Sequence, residues 1–210
     1  MSKIILYDYW RSSASYRVRI ALNLANIPYN SVAVDLLKKD HKSTEHLARN
    51  PQGLVPALSI DGQLFTQSVA IIEYLAETRG LAFLPSNPND RAKVRSISYA
   101  IAMDIHPVCN LSVVSHVMEI TGGGDEARSA WMMKFIGEGL ASVEAMLTLT
   151  QGSLCFGNEP TMADMCLIPQ LYNALRWGVD LRNFTRINAI AKTLESHPAF
   201  AAAHPDRVKP

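Results

Sequence analysis

Apolar and polar positions follow two different periods along this chain. Near the start, Ile4-Ile5-Leu6-Tyr7 is a short apolar run of strand length. Val18, Ala21, Leu22 and Ala25 then fall at i, i+3, i+4 and i+7, which predicts a helix from about Ser13 to Ala25. Asn26 and Pro28 stop it. Ser31-Val32-Ala33-Val34-Asp35 is β-branched and reads as a strand, so the two runs and the helix between them form a βαβ unit with parallel strands. A polar loop, Lys38 to Lys42, leads to a short helix over about 43–49. Ala57–Ile60 and Gln63–Thr66 flank Asp61-Gly62, a hairpin signal that pairs them antiparallel. Val69, Ile72 and Ala76, widened by Ile71 and Leu75, mark a helix with Ser68 at its cap position.

The pattern changes after Gly80. Two prolines and several turn formers make residues 81–90 a linker between a first domain, 1–80, and a second, 91–210. Beyond it the strand period disappears and every apolar stripe is helical. Val94, Ile97, Ile101, Ile105 and Val108 predict a long helix from an Asp90 cap toward Ile120, with Pro107 kinking it and freeing the Met103 carbonyl. A helix over about 126–149 buries Trp131, Phe135 and Val143. Thr161 and Asp164 have capping-box spacing before an apolar helix, Met165 to Trp177, that contains Pro169. Ile187, Ile190, Ala191 and Leu194 form the last stripe, and the tail from His204 to Pro210 reads as loose. The fold class is therefore mixed α/β followed by all-α.

Composition narrows the functional classes. With 210 residues, 48% of them hydrophobic and 19% charged, the chain can bury a sizeable core. A formal net charge of +1 removes any global attraction for nucleic acid or an anionic membrane, so attraction for anions must be local. The three cysteines, Cys109, Cys155 and Cys166, have neither metal-ligand spacing nor a disulfide framework. No signal-peptide pattern opens the chain and no apolar run reads as long enough to span a bilayer. The expectation is a cytoplasmic protein without a metal site.

The candidate chemistry lies where the first strand hands over to the first helix. Arg11-Ser12-Ser13-Ala14-Ser15-Tyr16-Arg17 puts three hydroxyls at a helix N-terminus, where free N–H groups and the dipole suit an anion. Capping needs only one serine. The turn carries no sulfur, so any thiol chemistry here requires a thiol brought by a ligand. Gln67 and Ser68 precede a second helix N-terminus, readable as capping or as a carboxylate seat. Val55-Pro56 enters a strand through a bond that is trans or cis. His106 and Asn110, four apart, would share a helix face and line either a cleft or a core irregularity. Arg176 ends its helix, where it favours the dipole or meets a ligand. Tyr7 ranks below the serines because it lies within the strand.

Four stretches together resemble zeta-class glutathione transferases of the maleylacetoacetate isomerase type. They are Arg11 to Leu22, Asn50 to Leu58, Gln67 to Leu75 and Thr161 to Gln170, in order and at matching spacing. The resemblance implies a thioredoxin-like N-terminal domain, an all-α C-terminal domain and a homodimer. It assigns Ser12, Ser13 and Ser15 to the turn that stabilises the glutathione thiolate, with Ala14 in place of the family's usual cysteine. It assigns Val55 and cis Pro56 to the cysteinyl unit and Gln67 and Ser68 to the γ-glutamyl end. His41 falls to the glycyl end, and Gln52, in the loop before Val55, joins the glutathione-binding set. His106 and Asn110 would line the cleft, Asp104 would reach the partner subunit's glutathione, and Arg11 and Arg176 would receive the carboxylates of a small dicarboxylate substrate.

The implied reaction is a cis–trans isomerisation in which a glutathione thiolate adds to the double bond of a cis-enedione acid and leaves after rotation. A free thiol is mostly protonated at neutral pH, with a pKa of about 8.5. A helix N-terminus and hydroxyl donors would lower it. Arginines would grip the carboxylates through paired hydrogen bonds. Maleylpyruvate is a shorter substrate that needs the same groups. Transfer to α-haloacids would use the serines without requiring both arginines, and a non-catalytic module would lack the hydroxyls.

Overall fold

The computed structural model describes residues 3–210, which divide into two units: the chain through Phe83 together with Glu195–Pro210, and Leu84–Leu194. The first unit is built on a four-stranded sheet of order β2-β1-β3-β4. Strand β1 (Ile5–Asp8) runs parallel to β2 (Asn30–Ala33) and antiparallel to β3 (Ala57–Ile60), which pairs antiparallel with β4 (Gln63–Thr66). Leu6 stands opposite Leu58 in the sheet centre, and both are fully buried. The parallel β1/β2 pair and the β3/β4 hairpin are those read from the pattern. Strand β2 starts one residue earlier than expected and is exposed along its whole length, as an edge strand is.

Helix α1 (Ser13–Leu24) is stopped just before Asn26, whose φ of 52° is a conformation asparagine tolerates better than most residues. Nearly every side chain from Ser13 to Leu22 is buried, not just one stripe. The extra cover comes from α10 (Pro198–Ala203), which packs on α1 and binds it through Asn23 Nδ2 to the Ala199 carbonyl, 3.0 Å. The expected boundary of 91–210 for the second domain is thus corrected at its far end, because residues 195–210 pack with the first unit. The tail is not loose either: Pro205–Val208 forms a helical turn, α11, and Lys209 Nζ sits 5.3 Å from the Trp10 ring centre. Short α2 (Thr44–Arg49) is capped by Ser43, and α3 (Ser68–Arg79) ends at Gly80.

The second unit is helical among its described residues. Helix α4 (Pro88–Tyr99) starts two residues before the expected Asp90, because Asn87 caps it and Pro88 suits a first helical position. The long helix read toward Ile120 is broken. Ala100–Ile105 is a π-helical turn, with the His106 N–H bonding the Ile101 carbonyl five residues back. The wide turn brings Ile105 against α7 (Asp125–Leu147), where a Cβ on Gly139 would come within 2.3 Å of the Ile105 side chain. A three-residue α5 (His106–Val108) follows, and α6 (Leu111–Thr121) starts afresh. By length and composition alone Pro88–Thr121 is long and apolar enough to cross a bilayer, with a mean hydropathy of 1.3 over one 18-residue window, contrary to the expectation that no run is long enough; Asn110 interrupts it with a new helix cap. In α7 the buried stripe is Met132, Ile136, Leu140, Val143 and Leu147. Trp131 and Phe135 are half-buried beside it, their tilted rings 4.5 Å apart between centres. Helices α8 (Met162–Arg176) and α9 (Thr185–Glu195) complete the unit.

Candidate active site

The β1–α1 turn places Ser12 as the N-cap of α1. Its φ and ψ, −71° and 122°, are extended, and its Oγ accepts from the Ser15 N–H at 3.2 Å. The Ser12 N–H donates to the Tyr9 carbonyl at 2.8 Å, which closes the turn. Having accepted from the backbone, the Ser12 hydroxyl keeps its own proton to donate outward, and the side chain is half-exposed. Ser13, the first helical residue, is 8% exposed. Ser15 is corrected: at 0% exposure its hydroxyl has no surface to offer a ligand, because residue 15 faces inward on a helix buried on several sides. The first turn of α1 contains no acidic residue of its own, which suits an anion at that helix end. Arg11 is half-exposed, its guanidinium 5.3 Å from the Trp10 ring centre. Tyr7 is covered by the Arg49 guanidinium, 4.3 Å from its ring centre.

A second open helix end belongs to α3. Gln67, not Ser68, is its N-cap residue, and its φ of 68° is unusual for a side chain with a Cβ. This turn leaves Ser68 as the first helical residue, again without an acidic group in the first turn. Gln67 Nε2 donates to Gln52 Oε1 at 2.8 Å, joining two residues expected in the glutathione-binding set. Ser68 is buried, and its Oγ accepts from Arg17 Nη1 at 3.3 Å.

The loop into β3 carries the Val55–Pro56 bond, which is cis. Two side chains that the sequence reading missed hold this loop: His46 Nε2 donates to the Leu54 carbonyl at 2.9 Å, and Asn50 Nδ2 donates to the same oxygen at 2.9 Å. Each looked like an ordinary loop or helix-end residue, and only their burial marks them. The loop packs against residues 41 and 42, since a Cβ on Gly53 would meet Lys42 Nζ at 2.8 Å and the His41 carbonyl at 3.0 Å. Burial lowers the pKa of His41, with nearby Lys42 adding to the effect, and its Nδ1 is buried without a hydrogen-bond partner.

In the second unit, Asp104 lies exposed on the π-helical turn and His106 begins α5. Asn110 does not share a helix face with His106. It caps α6, with Oδ1 accepting from the Ser112 N–H at 3.0 Å and from Ser112 Oγ at 2.9 Å. Its amide nitrogen is the part left for a ligand. Between them, burial pushes the Cys109 thiol up to about 11. Arg176 is the exposed last residue of α8. At the other end of that helix Asp164 accepts from the Thr161 N–H at 2.8 Å, Thr161 Oγ1 at 2.9 Å and the Cys155 N–H at 2.9 Å. That carboxylate closes its helix end and leaves no room for an anion.

Residues 2–77 match the family model of the glutathione S-transferase N-terminal domain. The whole chain is 62% identical, over 211 aligned residues, to maleylacetoacetate isomerase of Rhizobium meliloti (strain 1021), covering 100% of this chain and 99% of the relative. A holo structure of maleylpyruvate isomerase, described as a bacterial zeta-class glutathione S-transferase, superposes with a TM-score of 0.95 at 38% identity and covers 98% of both chains. A maleylacetoacetate isomerase from Methylobacterium extorquens AM1, with bound malonate and glutathione, gives a TM-score of 0.93 at 38% identity over 97% of both chains. Identity of this extent, end to end, makes the chain a member of the maleylacetoacetate isomerase family of zeta-class glutathione transferases.

Proposed function

We propose that this chain is a glutathione-dependent cis–trans isomerase that converts maleylacetoacetate to fumarylacetoacetate. The observation that carries the reading is the N-terminus of α1, where a half-exposed Ser12 hydroxyl caps a first turn that holds no acidic residue, a place that suits an incoming thiolate. The donor set fits glutathione, whose one thiol and two carboxylates call for separate anion seats. Two helix ends free of acidic residues, α1 and α3, supply such seats within one unit. When bound, glutathione supplies a thiolate that adds reversibly to the substrate double bond and so permits rotation about it.

The chain's own residues bind and orient. Ser12 donates its hydroxyl proton toward the sulfur and, with the helix N-terminus, favours the ionised thiol. Ser13, the first helical residue, lies beside that seat. Gln67, Gln52 and the Ser68 N–H receive the γ-glutamyl end, the backbone of Val55 beside Pro56 receives the cysteinyl unit, and His41 the glycyl end. Arg11 holds a substrate carboxylate, steadied by the Trp10 ring on which it rests. In the second unit, Arg176 is the exposed cation assigned to a carboxylate, and His106, Asn110 and Asp104 keep the roles the resemblance gives them. Cys109 takes no part as a nucleophile, because burial holds it protonated.

Maleylpyruvate is the second substrate to consider, because a maleylpyruvate isomerase superposes at a TM-score of 0.95. The deciding experiment is an ultraviolet assay of maleylacetoacetate and of maleylpyruvate, each with and without glutathione. Faster turnover of maleylacetoacetate that depends on glutathione supports the reading. Conversion that proceeds equally without glutathione refutes it. We also read the protein as a cytoplasmic homodimer. The family resemblance supports the dimer, and three buried free cysteines suit a reducing compartment. Light scattering in solution tests the dimer.

A further inference from the structure

Arg19 is 1% exposed and uses its guanidinium in three directions. Nη1 donates to both oxygens of Asp8, at 2.8 and 2.9 Å. Nη2 donates to the Trp10 carbonyl at 2.9 Å, and Nε to the Ala203 carbonyl at 3.0 Å. Asp8 is the last residue of β1, Trp10 sits in the middle of the turn, and Ala203 ends α10. One side chain thus ties the strand end, the turn and the C-terminal segment to α1. A buried ion pair alone is weak support for stability, and Asp8 by itself would have completed that pair. The bond to Trp10 goes further, since it fixes the peptide just before Arg11 and Ser12. The Tyr9 carbonyl holds the Ser12 N–H from the other side.

We propose that Arg19 is the positioning residue of the thiolate seat: it holds the Tyr9–Ser12 turn so that the Ser12 hydroxyl points at the sulfur, and it cancels the Asp8 charge beneath it. The proposal rests on the assignment of Ser12 above. A lysine cannot replace the arginine, because one ammonium group cannot reach three acceptors in a planar fork. A displacement of the hydroxyl by about an ångström is enough to weaken a donor of this kind severely. Asp8 acts in the opposite sense, since its carboxylate disfavours a second negative charge nearby.

The test is a pH titration of the ultraviolet absorbance of the thiolate in the enzyme–glutathione complex, run with binding of S-methylglutathione, which has no thiol to ionise. In the wild type the bound thiol titrates below the free value of about 8.5. In Arg19→Lys it should titrate about one unit higher than in the wild type, with kcat at neutral pH down about tenfold and S-methylglutathione affinity within about threefold. Asp8→Asn keeps the bond to Trp10 and should leave the titration unchanged or lower it. If Arg19→Lys does not fold, the double variant Asp8→Asn/Arg19→Gln leaves no buried charge unpaired, and it should show the same upward shift. A folded Arg19→Lys or double variant with the wild-type titration overturns the proposal. So does an equal rise in Asp8→Asn, or a collapse of S-methylglutathione binding, since either would mark general disruption. A wild-type thiol that titrates at the free value would instead overturn the assignment of Ser12 itself, whatever Arg19 does.

Discussion

The N-termini of α1 and α8 have the same local chemistry and opposite uses. Each starts at a hydroxyl residue, Ser12 or Thr161, with extended backbone. At α8 the third residue of the helix is Asp164, 0% exposed, whose two oxygens take three donors. That end is closed, and its dipole serves the fold. At α1 the third helical residue is Ser15, turned inward, and the first turn holds no acidic residue. That end carries no acidic residue of its own to close it, and its dipole suits an anionic ligand. A helix N-terminus is therefore not a site by itself; the side chain three places in decides whether it becomes one. The start of α6 makes the same point, since Cys109 precedes the Asn110 cap and is still held protonated by burial.

The comparison can be broken at either end. Asp164→Ala removes the acceptor for two buried N–H groups and one hydroxyl, and should cost roughly 3 kcal/mol in urea unfolding while leaving kcat per folded molecule unchanged. A loss below about 1 kcal/mol would show that the α8 end is not closed in the way described. Ser12→Ala should reverse the balance. Stability falls by about 1 kcal/mol for a lost cap, whereas kcat falls more than tenfold, about 1.4 kcal/mol of barrier. Ser13→Ala should also lower turnover, but less, because that side chain is buried.

The opposite end of α8 sharpens the contrast. Arg176→Gln should raise KM for the dicarboxylate about fivefold, roughly 1 kcal/mol, and leave KM for glutathione unchanged. The reverse pattern would reassign that arginine. The smallest effect is expected at Cys109. With its pKa at about 11, only about one thiol in a thousand is ionised near pH 8, so iodoacetamide should leave the native protein unmodified by mass and fully active. Rapid alkylation with loss of turnover would bring a protein thiol into the mechanism.

Much of the first unit was legible because its signals are local. The Asp61-Gly62 hairpin, the Asn26 stop and the βαβ order follow from residues that sit side by side in the chain, and the structure has each of them. The serine turn was legible for the same reason, although only burial separated Ser12 from Ser15. The break near Pro107 was read as a kink, but its form, a π-helical turn followed by a new cap at Asn110, depends on the fit of Ile105 against Gly139 on another helix.

By itself, then, the sequence determined the periods, caps and turns, and through them the order of strands and helices and the two open helix ends. Only the tertiary structure decided which polar groups go inside. Arg17 and Arg19 lie two places apart on α1, so no single apolar stripe accounts for both, and a helix with one covered face would leave at least one of them in water. Here α10, contributed by residues nearly two hundred positions later, closes over α1 and makes Arg19 an internal support for the turn. Burial by a distant segment leaves no local trace, because it depends on the shape of the whole unit and not on the spacing of neighbouring residues.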